Sequence, residues 1–150
     1  MLVIIGVVIV FFSWALSGSI GKKIGRALFD IETGTKKNTQ SALQQGLEKI
    51  SQDLNKDLPK MLNEYLRMDE VQTNTSELTV THYATYAQHS LLDTDFSFLN
   101  KNLPKLVNQL CQSKNAYWAM SLGVKYVYIY RDKDGKLIGN PFIIRVSDCK

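Results

Sequence analysis

The chain has 150 residues, a net charge of +4 and a sequence pI near 9.0. Beyond an apolar start of twenty residues, about 130 residues remain, which is enough for one hydrophobic core and one domain. Basic residues do not recur among aromatic ones in this remainder, which excludes a protein that recognises a nucleic-acid sequence.

Residues 1–20 carry no charged side chain. A helix of this length spans about 30 Å, the thickness of the hydrocarbon core of a bilayer. The stretch is long for a signal peptide and no Lys or Arg precedes it, so it predicts a retained transmembrane anchor, with cleavage after its small residues as the alternative. Ser17, Gly21 and Gly25 recur every four residues. Such spacing predicts that two anchor helices pack closely into a homo-oligomer; the alternative is that small residues are simply tolerated at the membrane interface.

A basic segment follows the anchor. Lys22, Lys23 and Arg26 are predicted to contact anionic lipid headgroups, or to act only as charges flanking a membrane helix. We assign residues 21–40 as a basic juxtamembrane linker and residues 41–150 as one domain. The positive-inside rule would leave this domain in the cytoplasm, whereas paired cysteines favour an oxidising compartment. We expect a single-pass protein of the bacterial inner membrane, with its C-terminal domain in the periplasm.

The domain begins with a predicted amphipathic helix. Apolar residues recur at steps of three and four from Leu43 to Leu58, and Thr39 or Ser41 suits the N-cap. Pro59 ends or restarts this helix, and the apolar residues beyond it are expected to continue the same face. We interpret the stripe as core packing, because it is too short for a long coiled coil.

The remaining segments alternate between strand and helix patterns. Pro104 is expected in the first turn of the second helix, and Gly123 is expected to close a short third helix. The predicted elements are strands at 67–74 and 77–86, a helix beginning near Leu103, a helix at 113–123, and strands at 124–131 and 136–147.

Two hairpins joined by helices predict an α+β domain of two layers. We expect a four-stranded antiparallel sheet with helices on one face, in the order αββαββ after the transmembrane helix.

The two cysteines are predicted to lie close together. Cys111 falls on the apolar face of the second helix and Cys149 follows the last strand. In a two-layer packing that helix lies on the sheet, which favours a disulfide; two buried thiols are the alternative. A metal site is disfavoured, because no further Cys or His lies nearby to complete it.

No motif in the sequence carries an enzymatic chemistry. Ser/His/Asp spacing, HExxH, a Walker loop and GxGxxG are missing, so we predict no enzyme, no catalytic residue, no metal and no cofactor. His82 is predicted to be a packed residue rather than a general base, and His89 lies in a loop. Asp132 to Gly135 matches only the start of a calcium loop, so we interpret it as a hairpin turn.

Tyrosines alternate along the strand at 124–131. Tyr126, Tyr128 and Tyr130 share one face, and Tyr83 lies on a neighbouring strand. If the helices cover the opposite face, these four tyrosines line the open side of the sheet as a candidate surface for a protein partner. The alternative is that they merely cover the sheet.

Several features resemble known proteins. Residues 55–61 (NKDLPKM), Cys111 and the ending from Tyr130 to Cys149 resemble a widespread family of small bacterial proteins with an N-terminal anchor and a periplasmic domain, several carried by prophages. The anchor with residues 17–25 (SGSIGKKIG) is similar to the superinfection exclusion protein A family of temperate tailed phages, which acts at the inner membrane against incoming phage DNA. The first resemblance implies paired cysteines and a periplasmic domain.

The leading hypothesis is a non-enzymatic module anchored in the inner membrane. Its partners would be the lipid bilayer and a protein, either phage ejection machinery or a host envelope protein, and its role would be superinfection exclusion by blocking phage DNA entry. The alternative is a structural or assembly subunit of a bacterial envelope complex that oligomerises through the small residues of the anchor.

Overall fold

The fold is known from a computed structural model, which describes residues 36–88 and 95–150. The predicted anchor, most of the predicted linker and His89 lie outside these residues. Two further assignments fall outside the described residues and stay predictions. The first is membrane-helix packing by Ser17, Gly21 and Gly25, and the second is contact with lipid headgroups by Lys22, Lys23 and Arg26.

The described residues form three helices, five strands and a short 3-10 helix. The elements are α1 (Lys36–Asn55), β1 (Lys60–Met61), β2 (Leu66–Asn74), β3 (Thr79–Tyr86), α2 (Phe98–Gln112), α3 (Lys114–Ser121), β4 (Lys125–Arg131), β5 (Phe142–Ile144) and the 3-10 helix Val146–Asp148.

The strands form one mixed sheet in the order β1-β2-β3-β4-β5. β3 and β4 run parallel, whereas the other neighbouring pairs are antiparallel. A parallel neighbour requires the chain to cross back over the sheet, and α2 and α3 lie in that crossover. The predicted α+β class is confirmed. The predicted four-stranded, fully antiparallel sheet is wrong in strand number and in the direction of one pair.

The additional strand, β1, arises from a segment that was expected to extend the first helix. Pro59 has no backbone N–H and disfavours helical geometry at Leu58, so the helix ends before it. Lys60 and Met61 then pair with Met68 and Arg67 at the edge of the sheet. The apolar residues after Pro59 therefore belong to a strand and a turn.

Two further elements differ in length from expectation. α2 begins at Phe98, so Pro104 lies inside the helix rather than in its first turn. The last predicted strand is reduced to Phe142–Ile144. Gly139 before it adopts a φ of 66°, and Pro141 cannot donate a hydrogen bond to a neighbouring strand.

Two side chains join α1 to the backbone of β2. β1 pairs with β2 only at Arg67 and Met68, so the rest of that edge has no neighbouring strand in the described sheet. The Asn55 amide accepts a hydrogen bond from the Val71 N–H at 2.8 Å and donates one to the Val71 carbonyl at 2.6 Å. Ser51 donates a third to the same carbonyl at 2.8 Å. These bonds satisfy backbone groups that a strand would otherwise pair.

Replacing this amide is expected to destabilise the fold. Asn55→Ala should lower the free energy of unfolding by about 2 kcal/mol, because it removes two hydrogen bonds and leaves the Val71 N–H without its partner. Chemical denaturation measures the change, and Gln52→Ala, at an exposed position of the same helix, is the matched control. Equal unfolding midpoints for the two variants would contradict the role of Asn55.

The core lies between the sheet and the helices. Leu66, Tyr128 and Ile144 from the sheet and Leu47 and Leu110 from the helices are at most 1% exposed. Burying side chains of this size contributes about 2 kcal/mol each. The two layers predicted from the sequence are therefore present, and the helical layer of the described residues packs on one face of the sheet.

The predicted location requires a correction. Within residues 36–88 and 95–150, no helix is both long enough and apolar enough to cross a membrane. α1 has 20 residues, but it alternates an apolar stripe with lysine and glutamine rather than presenting apolar side chains all round. The prediction of a single-pass inner-membrane protein with a periplasmic C-terminal domain is wrong for the described residues.

Candidate protein-interaction surface

The tyrosine face of β4 was predicted to be open to solvent, but it is buried, and the opposite face is the outward one. Tyr126, Tyr128 and Tyr130 are 8%, 1% and 8% exposed and belong to the core, so they cannot line an open surface. The intervening Val127 and Ile129 lie on the other face and are half-buried. The predicted partner surface is therefore wrong at three of its four tyrosines.

The buried face of the sheet is rich in aromatic rings. His82 stacks on Tyr128 with 4.8 Å between ring centroids, and Tyr86 lies 6.1 Å from Tyr130. Burial raises the pKa of Tyr126 to about 12 and that of Tyr128 well above its ordinary value. Burial also lowers the pKa of His82 to about 4. His82 is thus a packed core residue, as its position in the strand predicted.

Tyr83 is the predicted surface tyrosine that does lie on the other face. Its side chain is half-buried, and its hydroxyl donates to Gln72 Oε1 at 3.4 Å. The Arg131 guanidinium lies over its ring, with Cζ 5.1 Å from the centroid. This cation–π contact holds both side chains against the sheet.

Strand register brings apolar side chains together around Tyr83. Ile129 is directly opposite Tyr83, and Val127 is directly opposite Ile143. Residues directly opposite each other point to the same side of a sheet. We call the surface formed by Tyr83, Val127, Ile129 and Ile143 the open face, because the described helices pack on the other side.

The centre of the open face is apolar. Ile143 is 46% exposed, and Leu137, which pairs with Arg131 in an isolated bridge, is 57% exposed. Val127 and Ile129 on β4 lie between Tyr83 on β3 and Ile143 on β5, and they form the centre of the open face. Contiguous exposed apolar side chains with a polar surround are typical of protein-interaction sites.

Three cations border the open face and form what we call its cationic rim. Lys125 and Arg131 are the two ends of β4, and Arg145 follows β5 in extended geometry, which directs its side chain to the same face as Ile143. None of the residues of β3, β4 or β5 is acidic. The acidic side chains of the sheet are on β2, across β3 from the cationic rim. Glu70 is directly opposite Tyr83, and Asp69 pairs with Arg67 and accepts a hydrogen bond from the Thr85 hydroxyl at 2.6 Å.

A disulfide closes the C-terminal end of the domain, as predicted. Cys111 on α2 and Cys149 beyond the last strand are bonded, with 5.5 Å between their Cα atoms. The bond joins the final residues to the helical layer. Disulfides of this kind are typical of proteins in oxidising compartments.

The described residues contain neither a metal cluster nor a calcium loop. No group of three His, Cys, Asp or Glu side chains within 36–88 and 95–150 could hold a metal ion. The Asp132 carboxylate accepts hydrogen bonds from the backbone N–H groups of Asp134 at 2.9 Å and Lys136 at 2.8 Å. That arrangement fixes a tight turn, which is the predicted role of this segment.

Three solved structures resemble this fold. The pilotin EpsS of the Vibrio vulnificus type 2 secretion system has a TM-score of 0.58 at 15% identity, covering 74% of this chain and 94% of its own. The type II secretion system pilotin AspS of Vibrio cholerae has a TM-score of 0.56 at 18% identity, covering 77% and 100%. The chain has the fold of these pilotins.

A third match carries the same fold in another bacterium. A Pseudomonas aeruginosa protein described as secreted has a TM-score of 0.59 at 14% identity, covering 78% of this chain and 99% of its own. No protein-family model and no curated protein matches the chain by sequence. The likeness to the pilotins is therefore one of fold.

The residues that sequence reasoning missed had a recognisable signal. Along β4 the odd-numbered positions begin with Lys125 and end with Arg131, whereas the even-numbered positions are all tyrosines. Charged side chains are almost never fully buried without a partner. Charges at both ends of the odd set could therefore have identified Val127 and Ile129 as members of the exposed face.

Proposed function

We propose that the chain is a non-enzymatic assembly factor of a bacterial envelope complex, acting by binding a protein partner. The observation that carries the proposal is the pilotin fold, since two of the similar structures are pilotins of type II secretion systems. The half-exposed apolar side chains of the open face and the disulfide fit a protein-binding module in an oxidising compartment.

A non-enzymatic role agrees with the chemistry of the described residues. His82, their only histidine, is buried against Tyr128 and has a lowered pKa, so it is out of reach of a substrate. A binding module needs an accessible surface rather than a reactive group, and the open face supplies one. Superinfection exclusion has no support in the similar structures, and it stays a prediction, as do phage ejection machinery, the bilayer and a second copy of the chain as partners.

Deleting the gene in its bacterial host tests the proposal. Envelope complexes separated on native gels should show one complex lost or strongly reduced, because its assembly needs this chain. Phage plaque counts on the same strain should be unchanged. Intact envelope complexes would contradict the assembly role, and an altered plaque count with intact complexes would favour superinfection exclusion instead.

A further inference from the structure

We propose that the partner docks as an acidic, amphipathic protein segment lying across β3, β4 and β5 on the open face. The inference rests on the proposed function and deepens it by specifying the chemistry of the partner. It follows from the edges of the sheet, the apolar centre of the open face and the sign of the charges around it.

The edges of the sheet are poor templates for strand addition. β1 has two residues and β5 has three, and on the β2 edge beyond β1 the Val71 backbone is already bonded to Ser51 and Asn55 of α1. Immediately after β5 the Arg145 N–H donates to the Asp148 carboxylate at 2.8 Å, and the Arg145 carbonyl accepts from the Asp148 N–H at 3.0 Å. Short edges whose flanking backbone groups are already bonded prevent another chain from extending the sheet. A partner therefore docks on a face rather than at an edge.

The centre of the open face supplies the apolar contact. Val127, Ile129 and Ile143 come from two adjacent strands and are outside the core cluster, so burying them on docking does not disturb the fold. Each aliphatic side chain removed from water contributes about 1 to 2 kcal/mol. The partner segment must therefore present apolar side chains at its middle.

The cationic rim sets the charge of the partner. Lys125 and Arg131 are six residues apart on β4, which places them about 20 Å from each other. Arg131 is already held over the Tyr83 ring, so less side-chain freedom is lost when it pairs with a carboxylate. The complementary segment carries acidic side chains about 20 Å apart, with apolar residues between them.

A flat anionic membrane is a less suitable occupant. Val127 and Ile129 are half-buried among their neighbours on the sheet, and the Tyr83 hydroxyl is bonded to Gln72. Interfacial binding to lipid places protruding apolar side chains about 5 to 10 Å into the acyl boundary. The half-buried Val127 and Ile129 between the charged ends of β4 instead fit an amphipathic segment that brings its own apolar side chains into contact with them.

Site-specific photocrosslinking in the host tests the docking face. The full chain carries p-benzoylphenylalanine in place of Val127 or Ile143, or in place of the control Tyr117, which is 46% exposed on α3 in the helical layer. Adducts are mapped to peptides by mass spectrometry. Positions 127 and 143 should join to one segment of an envelope protein with acidic residues on either side of apolar ones, and position 117 should not.

Each other outcome is decisive. Adducts from positions 127 and 143 to a second copy of the chain, to a phospholipid or to a basic segment overturn the inference. Absence of adducts at all three positions overturns it too. An envelope-protein adduct from position 117 alone overturns the docking face but leaves the proposed function standing, which the gene deletion tests separately.

A charge-reversal variant separates the electrostatic contribution to partner binding from the apolar contribution. Replacing the three rim cations with glutamate should reduce the adduct yield at position 143 about tenfold, since each reversal places like charges together. The control makes the same change in net charge on the helical layer and should leave the yield unchanged; thermal unfolding of both variants verifies that they fold. Equal yields from the two variants would overturn the inference. The rim variant is Lys125→Glu, Arg131→Glu and Arg145→Glu, and the control is Lys101→Glu, Lys105→Glu and Lys114→Glu.

Discussion

Removing the disulfide is expected to lower the free energy of unfolding by about 4 kcal/mol. The bond between Cys111 and Cys149 closes a loop whose ends are 38 residues apart in sequence, and closing a loop of that length removes a corresponding amount of entropy from the unfolded chain. Without it, the residues after β5 have little to hold them on the domain, since the 3-10 helix Val146–Asp148 buries none of its side chains. Chemical denaturation of Cys111→Ser/Cys149→Ser against the wild type measures the loss.

The reduced wild-type protein is the matched control for this double variant. Both lack the bond, so both should unfold at the same denaturant concentration, well below that of the oxidised protein. Each single variant should behave like the double one, because either change breaks the same bond. An oxidised protein less than about 1 kcal/mol more stable than the double variant would contradict a structural role for the disulfide.

Acidification is expected to destabilise the domain through His82. Burial lowers its pKa in the folded protein to about 4, from the ordinary histidine value of 6.5 that applies in the unfolded chain. Between these values the unfolded chain binds a proton that the folded chain does not, so the free energy of unfolding falls as the pH falls through this range. A shift of this size corresponds to about 3 kcal/mol, and below about pH 4 the folded protein is protonated too.

Urea denaturation at a series of pH values between 7 and 4 tests this dependence, with His82→Phe as the variant. Phenylalanine keeps a ring against Tyr128 but cannot be protonated, so the part of the slope that His82 contributes should disappear even if the absolute stability changes. His89→Gln is the control for the other histidine and should retain the slope. A slope that persists in His82→Phe and vanishes in His89→Gln would contradict the assignment.

Local patterns in the sequence predicted much of the fold. The α1 stripe is an example, because Leu43 and Leu47 are both buried as the helical period requires. The pairing of Cys111 with Cys149 was favoured because both fall near one packed interface. Each of these predictions depends on residues a few positions apart, or on a single contact between two elements.

The direction of β4 could not be predicted in the same way. Two strands joined by helices run parallel or antiparallel according to where the connection re-enters the sheet, and no residue of α2 or α3 encodes that choice locally. The predicted second hairpin is present, since β4 and β5 are antiparallel neighbours, but it was expected to join the first hairpin with β3 and β4 antiparallel. This is why the predicted sheet was antiparallel throughout.

The candidate surface depended on which face of β4 is buried. Both faces are apolar at their centre, with tyrosines on one side and Val127 and Ile129 on the other, so alternation alone does not distinguish them. The structure resolves the ambiguity through Arg131, which must remain accessible to solvent and therefore places its whole face outward. Three predicted surface tyrosines accordingly lie in the core, and Tyr83 remains outside.

Complementation of the deletion strain tests the central claim most directly, namely that the open face binds the partner needed for assembly. Val127→Asp and Ile143→Asp place charges where apolar contact is expected, whereas Tyr117→Asp changes a side chain in the helical layer that is as exposed as Ile143. With all three variants at wild-type abundance, we predict that only Tyr117→Asp restores the missing envelope complex on native gels. Full restoration by Val127→Asp and Ile143→Asp would contradict the account.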